Sequence, residues 1–197
     1  MRALLATQNL HKLAELREIL PEWEIEPLVA DDYPEETGAT YYENALIKAR
    51  FAHTVADCES GVWSLGEDSG IECDALDGAP GLHSARWAPG RDQADALLER
   101  LALEANRRTR MITELVAISP SGEEIRGSGV LEGELAPERR GAGGFGYDPI
   151  FVPLGDTRTV AEIGDAWKRQ NSHRARAALA LAERIATARA DAGADAS

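Results

Sequence analysis

The stretch SLGEDSGIECDAL, residues 64–76, sets two adjacent carboxylates, Glu67 and Asp68, between two apolar runs at 62–65 and 71–76. Runs of this length predict two strands, with the acids at the junction between them. The Ser-Gly pair that follows the acids favours a polar turn. An acidic pair at a strand end can instead hold Mg²⁺, because this ion prefers carboxylate and phosphate oxygens. The spacing within this stretch leaves both interpretations open.

Outside this stretch, strand-like and helix-like segments alternate, and the chain contains neither repeats nor a linker. This pattern predicts one α/β domain over residues 1–188, with a mixed sheet and helices packed on it. The small, polar residues 189–197 predict a disordered tail. The other predicted strands are 2–7, 23–29, 111–118, 124–134 and the apolar run 149–152, and the predicted helices are 10–20, 40–57, 91–106 and 172–188.

Composition limits the class of protein. The chain has 197 residues and a formal net charge of −13, which argues against binding a nucleic-acid polymer. No apolar run approaches the roughly 20 residues of a membrane span, so we expect no membrane association. Cys58 and Cys73 lack metal-ligand spacing and predict buried thiols in a reducing compartment. We therefore expect a cytoplasmic protein.

The basic residues are 18 arginines and only three lysines, Lys12, Lys48 and Lys168. Under so strong a bias towards arginine, the remaining lysines are enriched where a compact ammonium works and a planar guanidinium does not. An acidic protein that binds phosphate needs such local cations.

Two segments are candidates for phosphate and metal binding. In ATQNLHKLAEL, residues 6–16, a strand, a polar turn and a helix with Lys12 one turn inside suit a phosphate, although a capped helix with a solvated lysine has the same pattern. In EETGATYYENALIKAR, residues 35–50, Thr40 and Glu43 fit a capping box. Glu36 lies in the preceding loop, either as a metal ligand or in solvent, and Lys48 shares a helix face with Asn44.

Two further segments are candidates for binding a base. GAGGFGYDP, residues 141–149, is a glycine-rich loop whose aromatic rings either stack on a flat ligand or fill the core. WKRQNSHRARAAL, residues 167–179, gathers Lys168, His173 and Arg174 around a helix start at residue 171 or 172.

Taken in order, these five segments resemble the Ham1/RdgB family of nucleoside-triphosphate pyrophosphatases, from residue 3 to about 185. The resemblance implies an elongated, twisted mixed sheet flanked by helices, in two lobes with the active-site cleft between them. It implies Mg²⁺-dependent hydrolysis of ITP, dITP and XTP to the monophosphate and pyrophosphate, by a homodimer. A Maf-like pyrophosphatase for other modified nucleotides and a non-catalytic nucleotide sensor remain alternatives.

The resemblance also implies site residues. Asp68 matches the catalytic and metal-binding Asp, and Glu36 matches a further Mg²⁺ ligand. Glu67 stands where a second Asp is usual, which leaves the division of roles between the two acids open. The implied substrate-binding residues are Thr7, Gln8, Asn9, Lys12, Ser69, Phe145, Gly146, Tyr147, Asp148, Lys168, His173 and Arg174, with Lys48 and Glu67 as additional candidates.

These assignments give a hypothesis for mechanism and selectivity. Asp68 would orient a water for attack on the α-phosphorus, while Lys12 and Lys48 would offset the charge of the departing pyrophosphate. His173 or Arg174 would donate to the 6-keto oxygen of hypoxanthine or xanthine. Adenine would place its 6-amino donor against the same protein donor, which would leave both without an acceptor and disfavour its binding.

Overall fold

A mixed six-stranded sheet organises the described part of the chain, in the order β2-β1-β3-β4-β5-β6. The computed structural model describes residues 1–56 and 61–195. Within it, β1 runs parallel to β2 and β3, and β5 runs antiparallel to β6. The strands are β1 (Arg2–Ala6), β2 (Glu24–Pro27), β3 (Trp63–Cys73), β4 (Arg108–Ile118), β5 (Glu124–Leu135) and β6 (Phe151–Pro153). The helices are α1 (Leu10–Ile19), α2 (Tyr41–Val55), α3 (Gln93–Arg100), α4 (Val160–Ile163), α5 (Asp165–Asn171) and α6 (His173–Asp195). The predicted α/β class with a mixed sheet is confirmed.

The chain divides into two compact units. Unit 1 comprises residues 1–68, 113–129 and 174–197, and unit 2 comprises residues 69–112 and 130–173. Strands β3, β4 and β5 contribute residues to both.

In unit 1, both faces of the strands are covered by helices. Leu65 and Leu115 belong to a buried cluster with apolar residues of α1 and α6. Val116, the next residue of β4, packs instead with Ala45 and Ala49 of α2. Because successive side chains of a strand point to opposite faces, α2 covers the face opposite to α1 and α6.

Strand β5, whose second half belongs to unit 2, alternates strictly between exposed and buried residues along its whole length. Its buried residues Leu131 and Leu135 join Phe151 of β6, Met111 of β4 and Leu97 of α3 in one apolar cluster. This alternation is typical of an antiparallel strand with one face on a core and the other in solvent.

None of the helices in residues 1–56 and 61–195 combines the length and the apolar character that a membrane span requires.

The region around the acidic pair differs from the sequence expectation. Two strands with Glu67 and Asp68 at their junction were predicted, with a polar turn as one of two interpretations, but β3 is one continuous strand from Trp63 to Cys73. Turn propensity is overridden by pairing in the sheet, where β3 lies between β1 and β4, although its ladder with β1 ends at Gly66, just before the acids. Both acids are buried, and cationic side chains contact each of them.

Other boundaries also differ from the prediction. The helix predicted to end at residue 188 continues as α6 to Asp195. Helices α4 and α5 were not predicted, since each is short and their apolar residues give no helical stripe. Cys73 is buried as expected, whereas Cys58 lies outside the described residues.

Gly66 allows a close approach between β3 and α2. A Cβ at this position would meet the backbone oxygen of Ala45 and the backbone nitrogen of Ala49. Neither backbone atom can move without displacing α2, whose side chains Asn44 and Lys48 lie beside Asp68.

We predict that Gly66→Ala lowers the free energy of unfolding by about 2 kcal/mol or more, through overpacking. Urea denaturation followed by circular dichroism measures the change. Val130→Ala, on the exposed face of β5, serves as the control and should stay within about 0.5 kcal/mol of the parent. Equal stability of the Gly66→Ala variant and the parent would contradict the close packing of α2 on β3.

Candidate active site

Asp68 is the centre of a polar cluster in unit 1. Asn44 Nδ2 donates to Asp68 Oδ2 at 3.2 Å, and Lys48 Nζ donates to Asp68 Oδ1 at 3.0 Å. Lys48 Nζ also donates to the backbone oxygen of Glu67 at 3.1 Å. Because Asn44 and Lys48 are one helical turn apart on α2, a single helix face supplies both donors. Their shared face was predicted, but that it points to Asp68 was not.

A loop brings a second carboxylate to the same ammonium. Glu36 Oε1 lies 2.5 Å from Lys48 Nζ. The loop is fixed because Gly38 N donates to Asn44 Oδ1 at 2.8 Å and Ala39 N donates to the Glu43 carboxylate. Thr40 caps α2 by accepting from Glu43 N, which confirms the Thr40 half of the predicted capping box; the Glu43 carboxylate accepts from Ala39 N instead of Thr40 N.

Burial and charge act in opposite directions on this cluster. Burial raises the pKa of Asp68, although the Lys48 ammonium counteracts part of that effect. Burial also disfavours the Lys48 ammonium, but Asp68 and Glu36 outweigh it and raise the pKa of Lys48. Lys48 therefore remains charged, and Asp68 becomes a stronger base than an exposed aspartate.

The donor set fits a hard divalent cation. Oxygens of Glu36 and Asp68, from a loop and a strand, converge on one cationic group. Mg²⁺ is commonly bound by one or two carboxylates together with substrate phosphates. In the part of the chain that the structure describes, no group of three or more His, Cys, Asp or Glu side chains could hold a metal. A cation at these two carboxylates would therefore need water or a ligand to complete its coordination.

Glu67 belongs to a different cluster of unit 1, on the opposite face of β3. Its Oε2 lies 3.3 Å from Lys12 Nζ, and its Oε1 accepts from Arg174 Nη2 at 3.2 Å. Arg174 Nη1 also pairs with Glu15 of α1. The Glu67 side chain is fully buried, and Arg174 is nearly so. Adjacent acids of one strand therefore bind different helices.

The turn before α1 is ordered by its own side chains. Thr7 Oγ1 accepts from Asn9 N at 3.1 Å, and Asn9 Oδ1 accepts from His11 N at 3.0 Å and Lys12 N at 3.3 Å. The predicted N-cap at Asn9 is confirmed, and Gln8 is exposed in the same turn. Burial lowers the pKa of Lys12, although Glu67 partly offsets this effect.

A separate cluster in unit 2 organises the glycine-rich loop. Asp148 Oδ2 accepts from Lys168 Nζ of α5 at 2.6 Å and from Phe145 N at 2.8 Å. Lys168 Nζ lies 5.0 Å from the centroid of the Phe145 ring, within the range of a cation–π interaction. Gly146 has a positive φ of 60°, which favours glycine between the two aromatic residues. The loop is therefore fixed by a buried ion pair rather than by apolar packing alone.

The remaining predicted site residues are placed as follows. Ser69 lies half-buried in β3, and His173 is the first residue of α6, also half-buried. Arg174 was predicted in the base pocket, but the contacts described above join it to Glu15 and Glu67. Sequence reasoning did not single out Glu15, although it lies three residues after Lys12 and shares its helix face.

Comparisons with known proteins agree with this fold. The model of the Ham1 family matches residues 3–184. A dITP/XTP pyrophosphatase of Symbiobacterium thermophilum is 49% identical over 191 residues, covering 93% of this chain and 94% of that protein. The structure of the Staphylococcus aureus Ham1 protein is 30% identical with a TM-score of 0.80, covering 95% of this chain and 99% of that one. A HAM1 protein from Coxiella burnetii is 35% identical with a TM-score of 0.77, covering 97% and 99%. On this evidence, the chain belongs to the Ham1 family.

Proposed function

We propose that this protein hydrolyses non-canonical purine nucleoside triphosphates, namely ITP, dITP and XTP, to the nucleoside monophosphate and pyrophosphate. The observation that carries the proposal is the Asp68 carboxylate, buried between Lys48 and Asn44 and sharing the Lys48 ammonium with Glu36. A buried acid beside cations suits attack on a phosphoanhydride. The relative from Symbiobacterium thermophilum is named a dITP/XTP pyrophosphatase, which supports the same substrate class.

In the proposed reaction, Asp68 accepts a proton from a water molecule as the water oxygen bonds to the α-phosphorus. The bond from the α-phosphorus to the α–β bridging oxygen breaks, and pyrophosphate leaves. Lys12 and Lys48 offset the charge of the phosphates. Thr7 to Lys12 form the turn that binds these phosphates.

Glu36 and Asp68 would hold the divalent cation, for which we propose Mg²⁺. When bound there, it supplies positive charge to the phosphate oxygens. The Lys48 ammonium contacts both of these carboxylates and so holds them close together.

Recognition of the base is assigned to the loop of unit 2 and its neighbours. Phe145 provides a ring for stacking, and Gly146, Tyr147, Asp148 and Lys168 set its position. His173 donates to the 6-keto oxygen, and Ser69 contacts the substrate. Nη1 and Nη2 of Arg174 donate to Glu15 and Glu67. A keto oxygen of the base would have to compete with these two carboxylates for the Arg174 guanidinium. The homodimer remains a prediction from the family resemblance, and the cytoplasmic location remains a prediction from composition and the cysteine pattern.

With Mg²⁺ present, we predict that dITP, ITP and XTP yield pyrophosphate at least about a hundredfold faster, in kcat/KM, than ATP does, because adenine leaves buried donors unpaired. Separate assays of pyrophosphate and orthophosphate over a panel that includes GTP measure this, and EDTA should abolish the activity. Binding without hydrolysis would indicate the sensor instead. Equal rates across the panel would refute the selectivity, and turnover of other modified nucleotides alone would indicate a Maf-like enzyme.

We predict that Asp68→Asn lowers kcat by about 10³-fold or more, because the amide cannot accept the proton. Steady-state kinetics with dITP measures this loss, and circular dichroism checks that the variant folds. Activity near that of the parent would refute the role of Asp68.

The neighbouring acid supplies the matched comparison. Glu67→Gln should lower the free energy of unfolding by about 3 kcal/mol, because it leaves buried charge on Lys12 and Arg174 insufficiently paired. Urea denaturation measures this cost, and kcat should fall less than in Asp68→Asn. If Glu67→Gln abolished turnover without loss of stability, the roles of the two acids would be reversed.

A further inference from the structure

Ser84 lies at the centre of a hydrogen-bonded junction in unit 2. It follows the short 3-10 turn Gly81–His83 and is 5% exposed. Its hydroxyl donates to Gly81 O at 2.6 Å and accepts from Ile71 N of β3 at 2.9 Å. Because a serine hydroxyl has one proton and two lone pairs, these two bonds use its donor and one acceptor site. The side chain therefore joins the 3-10 turn to strand β3.

The backbone of the same residue receives the glycine-rich loop. Tyr147 Oη donates to Ser84 O at 2.8 Å. Burial raises the pKa of Tyr147, so the phenol keeps its proton and remains a donor at neutral pH. The ring of Tyr147 also packs at the edge of the apolar cluster of unit 2. One residue thus links the loop, the turn and the strand.

The other attachment of the loop is at Asp148. Its carboxylate accepts from Phe145 N and from Lys168 Nζ, as described above. A Cβ on Gly144 would collide with this carboxylate, so the loop backbone lies directly against it. Asp148 fixes the backbone on the Phe145 side, whereas the Tyr147 side chain fixes the loop to Ser84.

We propose that Ser84 is a positioning residue that fixes the glycine-rich loop 141–149 for binding the purine base, acting through Tyr147 and through Ile71. Ser84 touches no reacting atom in this assignment. The inference rests on the proposed function, because it assigns to Ser84 the alignment of the ring on which the base stacks. Loosening this junction weakens nucleotide binding and leaves the proton transfer at Asp68 intact.

The test compares Ser84→Ala, Tyr147→Phe and the double variant, with Ser84→Thr to restore the hydroxyl. We expect each single variant to raise KM for dITP about tenfold, as loss of one buried hydrogen bond predicts, while kcat changes less than about threefold. The double variant should resemble the worse single variant, because both act through one junction. Ser84→Thr should return KM to within about threefold of the parent. Ser121→Ala, an exposed turn serine, is the control.

Hydrogen exchange followed by mass spectrometry gives a readout that does not depend on activity. Peptides covering 141–149 should exchange faster in Ser84→Ala and in Tyr147→Phe than in the parent, with unchanged exchange in α2. Parental KM in both folded single variants, or a KM in the double variant equal to the product of the two effects, would overturn the inference. If the parent itself released no pyrophosphate from dITP, the proposed function would fail, and the exchange data would still decide whether Ser84 fixes the loop.

Discussion

Two carboxylates are buried side by side in the middle of strand β3, and the surrounding structure of unit 1 must compensate their charge. Burying an ionised carboxylate costs several kcal/mol unless a counter-charge and hydrogen bonds accompany it. Asp68 meets Lys48 and Asn44, and Glu67 meets Lys12 and Arg174. Helices α1, α2 and α6 each bring one or more of these partners. Burial of the acidic pair therefore constrains the packing of three helices.

The pleat of the strand separates the two acids in function as well as in space. Glu67 points to the face with Arg174 and Lys12, where its charge is balanced within the protein. Asp68 points to the opposite face, where its carboxylate and that of Glu36 both contact the Lys48 ammonium. On that side the carboxylates outnumber the ammonium, so there is residual negative charge for a divalent cation. This asymmetry supports a structural role for Glu67 and a catalytic role for Asp68.

The three lysines illustrate how far sequence reasoning reached. Their rarity among 18 arginines predicted specialised positions, and each ammonium contacts a carboxylate in the structure. The sequence did not reveal their partners, because Lys168 and Asp148 are 20 residues apart, and Lys12 and Glu67 are 55 apart. Likewise, the family resemblance placed Arg174 in the base pocket, as a donor to the 6-keto oxygen. Its contacts with Glu15 and Glu67 could not be read from the sequence, because only folding brings these residues to it.

The sequence by itself determined the α/β class, most of the strands and helices, the caps at Asn9 and Thr40, and the resemblance to one family. These features follow from local periodicity, from short-range hydrogen bonding and from motif order along the chain. Only the tertiary structure decided that β3 continues through the acidic pair, that Glu67 and Asp68 serve different faces, and that Ser84 joins the loop to the strand. Each of these depends on contacts between residues distant in sequence, and their energies outweigh the local turn propensity that the sequence displays.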